Sequence, residues 1–333
     1  VPPVKIIKRG KDVPEVWKMM LANVRTPRGN YGDMRALISA VDLGEIRFRE
    51  LVSKYGADVF SKTLSDLLDY SERRMRAEIS AFPDGKYTFI DKVEDDGIED
   101  KEYEIHVAVH VHRDEVVIDY SGSSPQAKGP INATLGVAWS AAFNAMLHLT
   151  DQSIPKNSGC FRPIRVIAPA GTIMNVDYPG SEVGGNTETH PLIVCAIFGA
   201  MANCVPERVM ASEGTTHGCF VFGGHDKVTD EPFGGFDFSY VGYGGRSFAD
   251  GNDATDSING NCANTPMEVF ETRFPWIVEE YALRPNSGGA GKYRGGLSNV
   301  KQMLCTGEML VSQMTNKHKI GAWGLKGGFE GKV

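Results

Sequence analysis

The sequence predicts an α+β fold: a helical N-terminal part followed by a mixed, glycine-loop-rich sheet region with two buried helices. Three observations predict it. Apolar residues recur at three- and four-residue steps over the first eighty or so positions, the period then changes to two, and the glycines are unevenly spread. Of 38 glycines, 7 fall in residues 1–120 and 31 in residues 121–333.

The helical part carries Met34, Leu37, Ile38, Val41, Phe48, Leu51, Val52, Tyr55, Val59, Phe60, Leu64, Leu67, Leu68, Met75 and Ile79 at helical spacing, with charges on the complementary faces. Pro27 interrupts the pattern, Gly56 and Asp58 mark a helix end and a new start, and Phe82-Pro-Asp-Gly85 is a turn that closes the region. From Lys86 the chain reads as strand. Tyr103, Ile105, Val107, Val109 and Val111 alternate with polar residues, and Arg113-Asp114 turns into Val116–Ile118, so a hairpin is expected. The stretch 133–149 is apolar on nearly all sides, as a buried helix is, and 163–175 reads as a strand pair joined at Pro169-Ala-Gly171. A second buried helix is expected over Leu192–Cys204, with Pro191 in its first turn. Short aromatic stretches separated by glycine pairs follow over 214–260. These readings divide the chain into a mainly helical segment (1–82), a β-rich segment with a buried helix (83–180) and a glycine-rich α+β segment (181–333).

Composition excludes several classes. With 35 Lys+Arg against 42 Asp+Glu there is no basic footprint, so no nucleic-acid partner is expected. No apolar run reaches the ~20 residues of a membrane span. The six scattered cysteines lack a C-x-x-C pair, which points to reduced thiols and a cytoplasmic location.

Five stretches could carry chemistry. His106, His110 and His112 share one strand face without an acidic or thiol ligand at fixed spacing, so they read as a solvated face, and no metal site is assigned. Asp119-Tyr-Ser-Gly-Ser-Ser124 is either a functional loop or an Asx turn ending a strand. Gly184-Gly-Asn-Thr-Glu-Thr-His-Pro191 opens the second buried helix. There Thr187 or Thr189 can cap, the free amides favour an anion, and Asn186, Glu188 and His190 offer an amide, a carboxylate and an imidazole for acid–base work. Ser287–Leu297 combines five glycines with Lys292 and Arg294, the candidate anion- or cofactor-binding cations, although its spacing is not that of a phosphate loop. Cys262, in a polar cluster over 259–268, has no base at a telling spacing.

Taken in order, these segments resemble the hydantoinase B/oxoprolinase/acetone carboxylase α-subunit family. The resemblance is carried by Asn23-Val-Arg-Thr-Pro27 with Gly32-Asp-Met-Arg-Ala36; Asp119–Pro125 with Gly129-Pro-Ile-Asn132; Asn157-Ser-Gly-Cys-Phe-Arg-Pro163; Gly185-Asn186 with Glu188; Asn264-Thr-Pro-Met-Glu268; Arg284–Gly296; and Trp323-Gly-Leu with Gly327-Gly328. It spans about Val1 to Gly328. Val41 stands where the family more usually has Asn, and His190 is read from the residues alone.

The resemblance implies a segment of the B-type (alpha) subunit of an ATP-dependent enzyme. ATP and Mg would sit on a hydantoinase A-like partner of actin-like fold within a hetero-oligomer. That partner phosphorylates a carbonyl substrate and this subunit completes the reaction. The first expectation is a ketone carboxylase of the acetone or acetophenone type. The alternatives are a cyclic amidase that opens a phosphorylated hydantoin or lactam, and a non-catalytic scaffold. The resemblance also implies that family segments precede Val1, where a divalent metal is possible, and follow Val333.

Overall fold

The computed structural model describes residues 3–226 and 230–333; Val1, where the resemblance begins, lies outside them. A small hairpin of β1 (Ile7–Lys8) and β2 (Lys11–Asp12) leads into α1 (Pro14–Ala22), α2 (Pro27–Tyr55) and α3 (Ala57–Ile79). Pro27 is the first helical residue of α2, where its missing donor is no loss, and Gly56, at φ +82°, breaks α2 from α3. Only the end of α3 is buried, through Ser71, Met75 and Ile79, and α2 buries no residue. The periodicity therefore foretells the helices but not the burial of their apolar stripe.

A four-stranded sheet follows, built from β3 (Gly85–Val93), β4 (Tyr103–His112), β5 (Glu115–Asp119) and β6 (Ile164–Ile167) in that spatial order. The expected hairpin is β4–β5, paired antiparallel, whereas β6 joins β5 in parallel after the crossover through α4 (Leu135–Leu149) and the short α5 (Ser158–Phe161). Thr134 caps α4, accepting from the Val137 amide at 3.3 Å. The strand pair expected over 163–175 is corrected. Only β6 forms there, because the Gly171 turn (φ +73°) sends Ile173 to donate to the Ser124 carbonyl and accept from Ala133 instead.

The second buried helix is α6 (Thr189–Met201), in which every residue is buried. It packs on α4, β3 and β4. A Cβ on Gly199 would lie 2.7 Å from the Phe89 ring, so glycine lets the helix sit directly on β3. The main hydrophobic core runs from Met75 and Ile79 through the sheet and both helices to Ile258, and so draws on all three sequence segments.

The remainder is a three-stranded sheet, in which β7 (Cys219–His225) lies between β8 (Pro232–Phe238) and β11 (Met309–Met314), and an antiparallel pair of β9 (Trp276–Leu283) with β10 (Asn299–Cys305). Phe222, Phe270 of α7 (Met267–Arg273) and Trp276 form a second, aromatic core between them. No helix among the described residues is long and apolar enough to cross a membrane.

Candidate functional site

Glu188 is the residue before α6, reached through a single 3-10 turn at Val183–Gly185. A Cβ on Gly185 would lie 2.1 Å from the Asn132 carbonyl, so the turn fits only as glycine against that backbone. The capping expected of Thr187 or Thr189 is corrected: no side chain caps α6, and the Thr189 hydroxyl instead donates to the Ile131 carbonyl. Asn186 is exposed and contributes its carbonyl, which accepts from Asn259 Nδ2 at 2.9 Å. Glu188 and His190 are buried.

Both oxygens of Glu188 lack a directed hydrogen bond. Burial pushes its carboxyl up to about 8, and the nearby hydroxyls of Thr216 and Thr187 offset this only in part. At neutral pH it is therefore held mainly as the acid. His190 is driven the other way: burial, and secondarily the proximity of His217, lower it to about 4, which leaves a neutral imidazole. Its Nε2 lies 3.2 Å from Ser140 Oγ, while Nδ1 has no partner. Two neighbouring groups with pKa values pushed in opposite directions are the pattern of acid–base assignments.

The segment 212–218 walls this pair off. Ser212, Gly214, Thr216 and Gly218 line a cavity of about 700 Å³, whereas Glu213 and His217, at alternate positions, engage the loop 256–259 on the other side. Glu213 accepts from the Ser257 hydroxyl and from the Ile258 amide at 3.0 Å, and burial raises it to about 7. His217 Nδ1 lies 2.8 Å from Asp256 Oδ1, off the line of a directed hydrogen bond, and Nε2 lies 2.9 Å from Asn259 Oδ1. Asn259 thus ties the 186–190 stretch to the His217–Asp256 pair. Thr216 belongs to both regions, lining the cavity and neighbouring Glu188, with its Oγ1 accepting from the Gly218 amide at 2.9 Å.

The expected glycine loop forms the far side of the cavity, with Lys292 on its lining and its ammonium 5.2 Å from the Tyr293 ring. Arg294 is differently engaged. It holds Asp253 through two contacts of 2.8 and 3.1 Å and the Gly295 carbonyl at 2.8 Å, so its guanidinium clasps two loops together. Elsewhere, Asp119 accepts from the Ser121 amide at 2.8 Å as an Asx turn, and His106 contacts Glu104 at 2.9 Å. All six cysteines are free thiols, and Cys262 is exposed with its thiol raised by burial and Asp256. Among the described residues, no group of three or more His, Cys, Asp or Glu is placed to hold a metal.

Glu213, His217 and Asp256 escape sequence reasoning. They sit in a glycine-punctuated stretch with no helix or strand period, and only the fold brings them to Glu188.

Fold and site together define a mixed α+β chain in which Glu188 and His190 are buried behind a glycine-walled cavity. The chain belongs to the hydantoinase B/oxoprolinase family, whose model matches residues 1–333. It is 32% identical over 99% of its length to a Pseudomonas sp. protein provisionally named as the B-type subunit of a D-/L-hydantoinase, covering 57% of that relative. Its fold matches the crystal structure of ATP-dependent caprolactamase from Pseudomonas jessenii at TM-score 0.84 and 28% identity, covering 91% of this chain and 53% of that one. Acetone carboxylase, in a nucleotide-free structure, matches at TM-score 0.90 and 22% identity over 98% of this chain and 46% of its own, a likeness of fold. The chain thus spans about half the length of each of these three relatives.

Proposed function

We propose that this chain is the part of a B-type subunit that opens a cyclic amide, such as a hydantoin or lactam, after ATP-dependent activation on a partner subunit. The observation that carries the reading is Glu188, a buried, unpartnered carboxyl raised to about 8 and adjoining the hydroxyl of Thr216, a residue on the cavity wall. A carboxylic acid still protonated at neutral pH can donate to the ring nitrogen as the amide bond breaks. The proton passes from Glu188 to Thr216 Oγ1, which gives its own proton to the cavity side. The proton shed by the attacking water returns through the same hydroxyl to the Glu188 carboxylate, which restores the acid, while His190, buried and off the cavity lining, stays a neutral imidazole. ATP and Mg belong in this reading to a hydantoinase A-like partner of a hetero-oligomer, and a divalent metal to other segments of the subunit.

Sequence likeness supports the cyclic-amide branch, since the relatives above 25% identity include proteins named for hydantoinase and caprolactamase. The ketone carboxylase expected from the sequence has fold likeness alone behind it. The test is turnover by the assembled enzyme with ATP and either a hydantoin, a lactam or acetone with bicarbonate. Amide opening that drops about 10²–10⁴-fold in Glu188→Gln is the expected result. Undiminished turnover in that variant, with assembly intact, would leave the chain a scaffold.

A further inference from the structure

The cavity behind the 212–218 wall has features that acid–base chemistry does not use. Among the described residues, its lining carries six Lys and Arg side chains and a single acidic side chain, Glu207, in a chain whose net charge is -7. Most of these cations are exposed or engaged. Arg246 is held by the Asp250 carbonyl and Asn252 at 2.9 and 2.8 Å, and Lys326 lies 3.9 Å from Glu207.

Lys317 is different. Its side chain is 7% exposed, yet Nζ makes no hydrogen bond, and the nearest carboxylate oxygen, Asp91 Oδ1, stands 3.7 Å away. That oxygen already accepts the Lys92 amide at 2.9 Å, and Asp91 Oδ2 accepts Trp323 Nε1 at 2.9 Å. The neighbouring Asn316 is also buried with Nδ2 unpartnered, and both amide atoms of Asn299 are without partners. Lys317, Asn316 and Asn299 are all among the residues lining the cavity, with their unpartnered atoms set just beneath its surface. Lys317 moreover holds φ +68°, a strained conformation for a non-glycine residue that persists where the surroundings impose it. A buried ammonium with unused donors, beside unsatisfied amides, is costly unless a ligand completes it.

We propose that the cavity binds the carboxylate or phosphate group of a small substrate, with Lys317 as counter-ion and the Asn316 and Asn299 side-chain amides as neutral donors. Charge selects an anion over a cation or neutral group. The glycine wall makes the site rigid: a Cβ on Gly242, Gly288 or Gly296 would fall 2.0, 2.2 or 1.9 Å from backbone oxygens of the facing loops. Preformed walls lower the ordering cost of binding. Because Thr216 lines the same space, a molecule anchored at Lys317 has its uncharged end free to lie against the acid–base wall. The inference rests on the proposed function only for which reaction the bound anion enters.

The experiment is equilibrium calorimetry of the protein with inorganic phosphate and, separately, acetate at constant ionic strength. Saturable binding of at least one oxyanion is expected, and which one binds identifies the group recognised. Lys317→Met should weaken it about tenfold or more, and Lys317→Arg should retain it within a few-fold. Should Lys317→Met fail to fold, the partly exposed Asn299→Ala should weaken binding about fivefold in a folded protein. Glu188→Gln should bind with unchanged affinity, which separates loss of the anion site from loss of the acid–base reading. Absence of saturable binding of either anion up to about 100 mM, well beyond even weak specific affinity, or binding indifferent to Lys317→Met and Asn299→Ala, overturns the proposal.

Discussion

At the scale of single residues, Glu188 and His190 tie stability to pH. Glu188 rises in the folded state from 4.5 to about 8, so the folded protein binds the extra proton, and the stability it retains at low pH is lost as pH climbs through that interval. His190 falls from 6.5 to about 4, so its contribution is present above 6.5 and lost as pH drops toward 4. Glu213, raised from 4.5 to about 7, adds to the loss as pH climbs from 4.5 to about 7. Urea unfolding followed against pH should therefore show Glu188→Gln gaining on the wild type between about pH 5 and 8, by an amount of the order of a few kcal/mol. A difference that does not vary with pH would mean that Glu188 is solvated. A second residue-scale prediction concerns Thr216: Thr216→Val keeps its shape and removes the hydroxyl, so turnover should fall at least about tenfold while oxyanion binding persists. Of these residues, Glu188 and His190 are legible in the sequence because both belong to one short polar stretch leading into an apolar helix. His217, Asp256 and Lys317 are not, because each acquires its meaning from a neighbour far along the chain.

Individual elements show why glycine content, and not motif spacing, points to the site. The 3-10 turn before α6 and the loops around the cavity are packed backbone against backbone, and the glycine density after residue 120 is the trace of that packing. Gly185 and Gly44 make a paired test. Gly185→Ala places a methyl 2.1 Å from the Asn132 carbonyl and must move the turn that sets Glu188, whereas Gly44, within α2, has no atom within 4 Å of such a methyl. Thermal unfolding should show Gly185→Ala destabilised by about 1–3 kcal/mol with reduced turnover. Gly44→Ala should be neutral or stabilised by up to about 1 kcal/mol, as expected of helix propensity. Equal effects at the two positions would show that the turn yields freely. The existence of α4 and α6 is legible from their apolar stretches, although α6 runs three residues earlier than Leu192–Cys204 because Thr189 and His190 join the helix; the single strand at 164–167 is not legible. A β-branched stretch with a proline turn reads as a hairpin unless one knows that 124–125 and 133 take its hydrogen bonds.

For the whole molecule, the exposure of the apolar stripe along the N-terminal helices is itself informative. The stripe Leu37, Val41, Phe48, Leu51, Val59 and Leu64 has the spacing of a core-facing surface, yet Leu37 is 69% and Val41 73% exposed. Its internal packing is sparse: Phe48 meets Phe60 edge-to-face at 5.0 Å, and α2 touches little beyond α1 and α3. Each such side chain forgoes about 1.5–3 kcal/mol of burial. Periodicity reports that a face is apolar and helical; it cannot say whether the chain that bears it also covers it. An uncovered apolar face of this length should bind a hydrophobic dye and promote self-association as concentration rises. The prediction is that this chain, alone in solution, enhances anilinonaphthalene sulfonate fluorescence and sediments with a concentration-dependent mass. Leu37→Glu combined with Val41→Glu should reduce both by about half or more while leaving the melting temperature within a degree or two, because substitutions at exposed positions cost little. If dye binding and association survive that double substitution, the apolar surface responsible lies elsewhere. If the melting temperature falls sharply, the helices are packed in solution more closely than the exposure of Leu37 and Val41 indicates.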